Sequence, residues 1–113
     1  IIISKPISKI NNMYNAIDLF VLPSIGYEGF PNVLAEAMLC EKYCLSTDVG
    51  DSKKILNKYG KIFKKNNPED LKKKINDFYI RKKLFNKSGR KYILKNFIIN
   101  KMVKKYNLIW NSR

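Results

Sequence analysis

The sequence predicts an α/β fold, a parallel sheet covered by helices and followed by a helical C-terminal tail. Three observations predict it. Ile17 to Leu22, IDLFVL, is an apolar run that does not alternate with polar residues and stops at Pro23, the pattern of a strand buried on both faces of a parallel sheet. Pro23, Gly26 and Gly29 then punctuate a loop, and a helical pattern opens at Pro31, where proline has no N–H to lose and a φ already suited to a helix. Last, Tyr43 to Thr47, YCLST, is a short β-like run closed by DVGD. Strand, loop, helix, strand is the order of a βαβ unit.

The remaining elements follow in chain order. PISKINNMYNA, upstream of the first strand, holds a short helix. The helix opening at Pro31 is expected to reach about Lys42. Lys53 and Lys54 read as a solvated helix start, and KIF after Gly60 as a further strand. Asn67-Pro68-Glu69-Asp70 is a helix start with a capping Asn, proline at the first position and acids in the first turn. Leu71, Ile75 and Phe78 line one face of that helix. Two more amphipathic helices are expected, one carrying Leu84, Tyr92 and Leu94, the other Met102, Val103, Tyr106, Ile109 and Trp110.

Composition narrows the function. The 113 residues are 45% hydrophobic, which suits one globular domain with a modest core. No apolar run approaches the roughly 20 residues that span a bilayer. Two cysteines, Cys40 and Cys44, and no histidine leave too few soft ligands for a four-ligand zinc site and read as reduced thiols of a cytosolic protein. The absence of histidine also removes the commonest general base. The net charge of +14 comes almost wholly from lysine. Readers of base edges favour arginine, so specific nucleic-acid binding is not expected, while a loose attraction to anionic lipid head groups stays open as a lesser alternative.

The acidic residues are few, which singles out Glu28 and Glu36 in SIGYEGFPNVLAEAM. Glu28 lies just before a helix N-terminus, whose free N–H groups and dipole favour anions. Glu36 shares a helix face with Asn32, four residues earlier, among Val33, Leu34, Ala35, Ala37 and Met38. A carboxylate desolvated there needs hydrogen-bond donors, and vicinal ribose hydroxyls are suitable ones. The plain alternative is that Glu36 points to solvent or meets a lysine, and that Glu28 merely ends a turn.

DLFVLPSIGYEGFPNVLAEAM, followed by STDVG, resembles the signature segment of the family-4 (group 1) retaining glycosyltransferases, enzymes of the two-Rossmann-domain GT-B fold. The matching elements are Pro23-Ser24, Glu28-Gly29-Phe30-Pro31-Asn32 and the second glutamate, Glu36. The resemblance continues more weakly through NNPEDLKKKI and RKYILKNF to YNLIW. It implies that residues 1–113 are the C-terminal, donor-binding portion of such an enzyme, a partial Rossmann-like domain without the N-terminal acceptor domain. The opening Ile1, within III, likewise reads as the middle of a longer hydrophobic segment.

By this resemblance Glu28 is the catalytic candidate, facing the donor sugar and supporting positive charge at the anomeric carbon. Gly29 and Phe30 would shape the sugar pocket. Pro31, Asn32, Val33 and Leu34 would present the helix N-terminus to the diphosphate, and Glu36 would grip the ribose. The implied reaction moves a sugar from a nucleoside diphosphate to an acceptor hydroxyl with retention, in bacterial surface polysaccharide synthesis. The resemblance implies no cofactor or metal, and the lack of a D-x-D motif, Asp48 and Asp51 being separated by two residues, agrees with it. The expected partners are the nucleotide-sugar donor, a lipid-linked saccharide acceptor and the N-terminal domain or a partner chain, at the cytoplasmic membrane face.

The family's upstream cationic pair has no match in Lys5 or Lys9. After TDVG, where the family has glycine and then Pro-Glu, this chain has Asp51-Ser52-Lys53-Lys54. A non-catalytic or split-enzyme module that binds a nucleotide sugar, and a basic nucleic-acid binder, remain alternatives. Alone, the chain is expected to expose the opening III, Tyr106 and Trp110.

Overall fold

The computed structural model describes residues 3, 5–81 and 84–112. The predicted α/β class is what it adopts. The elements in order are α1 (Ile10–Ala16), β1 (Leu19–Leu22), α2 (Asn32–Leu39), β2 (Tyr43–Thr47), α3 (Ser52–Leu56), β3 (Lys61–Phe63), α4 (Pro68–Arg81), α5 (Lys87–Asn96) and α6 (Ile99–Trp110). The sheet has the order β1-β2-β3 and both pairings are parallel. Leu22 stands beside Ser46, and Thr47 beside Phe63, so the strands finish together at one end of the sheet.

Strand alternation divides the core into two layers. Cys44 joins Leu34, Ala37 and Met38 of α2, Ile55 and Leu56 of α3, Tyr14 of α1 and Ile93 of α5 in one buried cluster. On the other side, Tyr43 stacks on Phe78 of α4 with ring centroids 5.6 Å apart, and Leu45 is buried completely. β2 is therefore the covered central strand. β1 was expected to be buried on both faces, yet all four of its residues are half-buried. It pairs with β2 alone and forms a sheet edge among the described residues.

Local chemistry explains most helix ends. Asn67 Oδ1 accepts the amide of Asp70 at 2.9 Å, as its capping pattern predicts. α2 begins at Asn32 rather than Pro31, which stands outside with ψ near 92°, and it ends at Leu39 rather than near Lys42. There the amide of Lys42 reaches Ala37 O and that of Glu41 reaches Met38 O, both at 3.0 Å, the paired closure of a Schellman motif. Glu41 occupies the left-handed position with φ 61°. Glycine usually marks that place, so its absence hid the stop.

α5 shows a larger difference. Leu84 was expected on this helix but precedes it, because Asn86 is the cap and its Oδ1 accepts the Gly89 amide at 3.0 Å. Asn86 also donates through Nδ2 to Tyr59 O at 2.7 Å and through its amide to Glu41 O at 2.7 Å. One residue, through its side chain and its backbone amide, thus ties the start of α5 to the segments that follow α2 and α3. On the helix itself Ile93 is buried and Leu94 exposed.

Tyr106 and Trp110 are exposed, as anticipated, and so is Ile3; of the opening III, Ile1 and Ile2 lie outside the described residues. Among the described residues no helix is long and apolar enough to cross a membrane.

Two buried acids set an alkaline limit. Burial pushes the Cys44 thiol well above its ordinary value. Burial, then the hydrogen bond to Glu36, does the same to the Tyr14 phenol. The unfolded chain loses these protons from about pH 8.5 for Cys and about pH 10 for Tyr, while the native chain keeps them. Their contribution to stability is complete below those values and is lost as pH rises toward the folded ones. Urea midpoints are expected to be flat near neutrality and to fall above about pH 8.5, steepening beyond about pH 10. Tyr14→Phe should flatten the steeper part.

Candidate functional site

The loop between β1 and α2 leaves the sheet at the carboxyl ends of the strands, where ligands bind in open α/β sheets. Two braces hold it. Thr47, the last residue of β2, donates its hydroxyl to Ser24 O, and Ser24 donates its own hydroxyl to Glu28 Oε1 at 3.0 Å. The turn after β2 supplies the second brace. Gly50, at φ 48°, lies so close that a Cβ would fall on the carbonyls of Glu28 and Gly29, and the amide of Asp51 donates to Gly29 O at 3.0 Å. Glycine is needed at position 50 for both its conformation and its lack of a side chain.

Glu28 and Gly29 are exposed on this braced loop. Phe30 turns its ring toward Phe97, with centroids 5.4 Å apart, so part of the loop rests on the α5–α6 junction. Pro31 is buried. At the start of α2 the Leu34 amide closes a turn onto Pro31 O at 3.0 Å, and its side chain is in the core. The amides of Asn32 and Val33 belong to the unpaired first turn of a helix and have no partner among the described residues. They are the donors this end can offer an anion.

Glu36 is not desolvated as its neighbours in sequence suggested. Leu34, Ala35, Ala37 and Met38 face the core, while Asn32, Val33 and Glu36 lie on the exposed side. Glu36 instead receives the hydroxyl of the fully buried Tyr14 at 3.0 Å from its Oε2, with Val33 O 3.3 Å from the same hydroxyl. One carboxylate oxygen is held, and the other has no partner among the described residues. Tyr14 and Gly50 are the two supporting residues that inspection of the glutamates missed. Gly50 had a signal in TDVG, but nothing within reach of Tyr14 in the chain announces a contact with Glu36.

The two lysines after the turn are engaged locally. Lys53 meets Asp48 at 2.7 Å and Lys54 meets Asp51 at 4.0 Å, all well exposed. Pairs of this kind are worth about 0–1 kcal/mol. Among the described residues no three His, Cys, Asp or Glu side chains come together as a metal-holding group.

Similarity to solved structures extends over nearly the whole chain. A crystal structure of a glycosyltransferase from Rickettsia africae superimposes with a TM-score of 0.82 over 93% of the chain, at 28% identity. A sucrose-phosphate synthase from Thermosynechococcus elongatus does so with a TM-score of 0.74 over 89%, at 22% identity, and shares the fold. The chain spans 30% and 27% of the length of these two structures. No curated protein sequence matches it. The family described as glycosyl transferases group 1 matches residues 1–80, and the chain belongs to that family.

Proposed function

We propose that this chain is the donor-binding portion of a retaining, family-4 glycosyltransferase, which passes a hexosyl group from a nucleoside diphosphate to an acceptor hydroxyl. The observation that carries the reading is the braced loop. Glu28, Gly29 and the open first turn of α2 meet at the carboxyl ends of two parallel strands, fixed there by Gly50 and Thr47. Preorganised groups stabilise developing charge without reorganising during reaction, and a backbone brace supplies that rigidity.

In this reading the diphosphate sits over the Asn32 and Val33 amides. Glu36, oriented by Tyr14, accepts from the ribose hydroxyls with its second oxygen. Glu28, positioned by Ser24, faces the sugar and supports positive charge at the anomeric carbon. Gly29 and Phe30 wall the sugar. Donor binding proceeds without a divalent metal. A helix N-terminus contributes about 0.3–2 kcal/mol toward an anion, against the roughly 8 kcal/mol or more that enzymes supply. The N-terminal domain therefore brings the acceptor and further charge. The acceptor is a lipid-linked saccharide in surface polysaccharide synthesis, met at the cytoplasmic membrane face.

Calorimetric titration with uridine and guanosine diphosphate sugars tests this. One of them should bind, and Glu36→Ala should weaken it at least tenfold, about 1.4 kcal/mol. Glu28→Ala in the full-length enzyme should cut kcat more than it changes KM. Donor affinity indifferent to Glu36 would overturn the assignment. Tight binding by a chain that never turns over with its N-terminal domain would favour a non-catalytic module.

A further inference from the structure

At the amino end of β2, across the sheet from the braced loop, lies a hollow of about 260 Å³ that the proposed transfer does not use. Three parts of the chain build it. Tyr43 opens β2 and Lys61 opens β3, and the register sets Lys61 beside Leu45, on the same sheet face as Tyr43. Lys74, Asp77, Phe78 and Arg81 recur at helical spacing on α4 and share one of its faces. Lys58 comes from the turn between α3 and β3. That turn is held on both sides, since the Tyr59 amide donates to Leu56 O at 2.8 Å and Asn86 Nδ2 donates to Tyr59 O at 2.7 Å. A wider cleft of about 480 Å³ adjoins the hollow, sharing Tyr43 and Lys58 and reaching Asn86 and Ser88 at the start of α5.

We infer that this hollow is a second, non-catalytic binding site for a phosphate group, brought by a soluble phosphate compound or by a phospholipid head. The charge balance selects phosphate. Lys58, Lys61, Lys74 and Arg81 line the hollow with one acid, Asp77. Lys74 has Asp70 at 3.9 Å, but among the described residues Lys58, Lys61 and Arg81 form no ion pair. Like charges gathered without counter-charges repel one another, and a multivalent anion relieves that repulsion. Phosphate oxygens also match the geometry of the Arg81 guanidinium, which can donate two parallel bonds. Tyr43 adds a neutral donor. Tyr14 and Tyr92 donate their hydroxyls to protein acceptors, whereas the Tyr43 hydroxyl has no partner among the described residues. Burial raises its phenol above the ordinary value, with the Arg81 charge offsetting part of the shift, so the proton stays in place to be donated. A single carboxylate, with one charge and two oxygens, would leave most of these groups unanswered. The site stands at the opposite end of the strands from Glu28 and rests on no part of the donor reading.

The test is a titration of the nitrogen-15-labelled chain with sodium pyrophosphate, read from amide chemical shifts and matched against sodium chloride of equal ionic strength. Saturable shifts are expected at Tyr43, Lys58 and Lys61, and chloride should not reproduce them. Affinity should fall as salt is added. Lys58→Gln combined with Arg81→Gln should weaken binding by about tenfold or more. Tyr43→Phe should weaken it about fivefold, because the hydroxyl is lost while the ring stays on Phe78. Lys58 and Arg81 are exposed, so the remaining amide signals should show that double variant folded. Sedimentation with vesicles of phosphatidylcholine, alone and mixed with phosphatidylglycerol, finds the source of the phosphate. Binding to mixed vesicles that pyrophosphate reverses and the double variant lacks marks a phospholipid head. Saturable pyrophosphate shifts without such vesicle binding mark a soluble compound, and either result supports the site. Shifts that are absent, unsaturable, equal with chloride or undiminished in the double variant overturn it. The Asn32 and Val33 amides report the donor end in the same spectra, so the two readings stand or fall separately.

Discussion

Gly50→Ala is expected to destabilise the chain by ~2–5 kcal/mol and to abolish donor binding. Two costs combine. The left-handed conformation costs an L-residue roughly 1–2 kcal/mol, and forcing a group into occupied space typically costs about 1–3 kcal/mol more. The occupied space is backbone, the carbonyls of Glu28 and Gly29, which cannot rotate aside as a flexible side chain can. Relief requires the Glu28 loop to move and breaks the bond from the Asp51 amide to Gly29 O. Gly26 is the control, since nothing lies within 4 Å of a Cβ placed there, and Gly26→Ala should change stability by no more than about 0.5 kcal/mol. Urea unfolding of the pair measures the difference. Equal midpoints would show that the turn after β2 does not brace the site.

Leu45→Ala should cost as much in stability while acting from the opposite face of the sheet. Leu45 has no exposed surface and sits in the middle of β2, beside Val21 of β1 and Lys61 of β3. Truncating a buried leucine removes its transfer energy and leaves a cavity, together about 2–5 kcal/mol. Domains of this size have about 5–15 kcal/mol in total, so the variant should be near the edge of folding at 37 °C. The midpoint should fall with an unchanged denaturant slope. A loss under about 1 kcal/mol would mean that the sheet face under α4 collapses onto the gap or is loosely packed. Where the variant folds, donor affinity should survive, because the site residues stand on the carboxyl ends of the strands and on α2.

Local chemistry made much of the fold legible. YCLST and KIF were strands at the residues expected, and Asn67 capped the helix that Pro68 opens, because strand propensity and capping act within a few residues of chain. The glutamates and the loop between them were conspicuous for a similar reason, being rare acids at a helix start. The stop of α2 was harder, because Glu41 fills a left-handed place that glycine would have advertised. Leu84 was assigned to a helix it precedes, since its apolar spacing fits one and only the ties from Asn86 to Tyr59 and Glu41 set the true start.

What the amino-acid sequence determined by itself was the α/β class, the order of its elements and the positions of Glu28 and Glu36. The tertiary structure alone decided that β1 is an edge among the described residues, that Tyr14 holds Glu36 from 22 residues away, and that Gly50 braces the Glu28 loop. Periodicity and caps are properties of neighbours along the chain. A hydroxyl reaching a carboxylate, or a backbone pressed against a glycine, is a property of segments that meet only when the sheet and helices have packed.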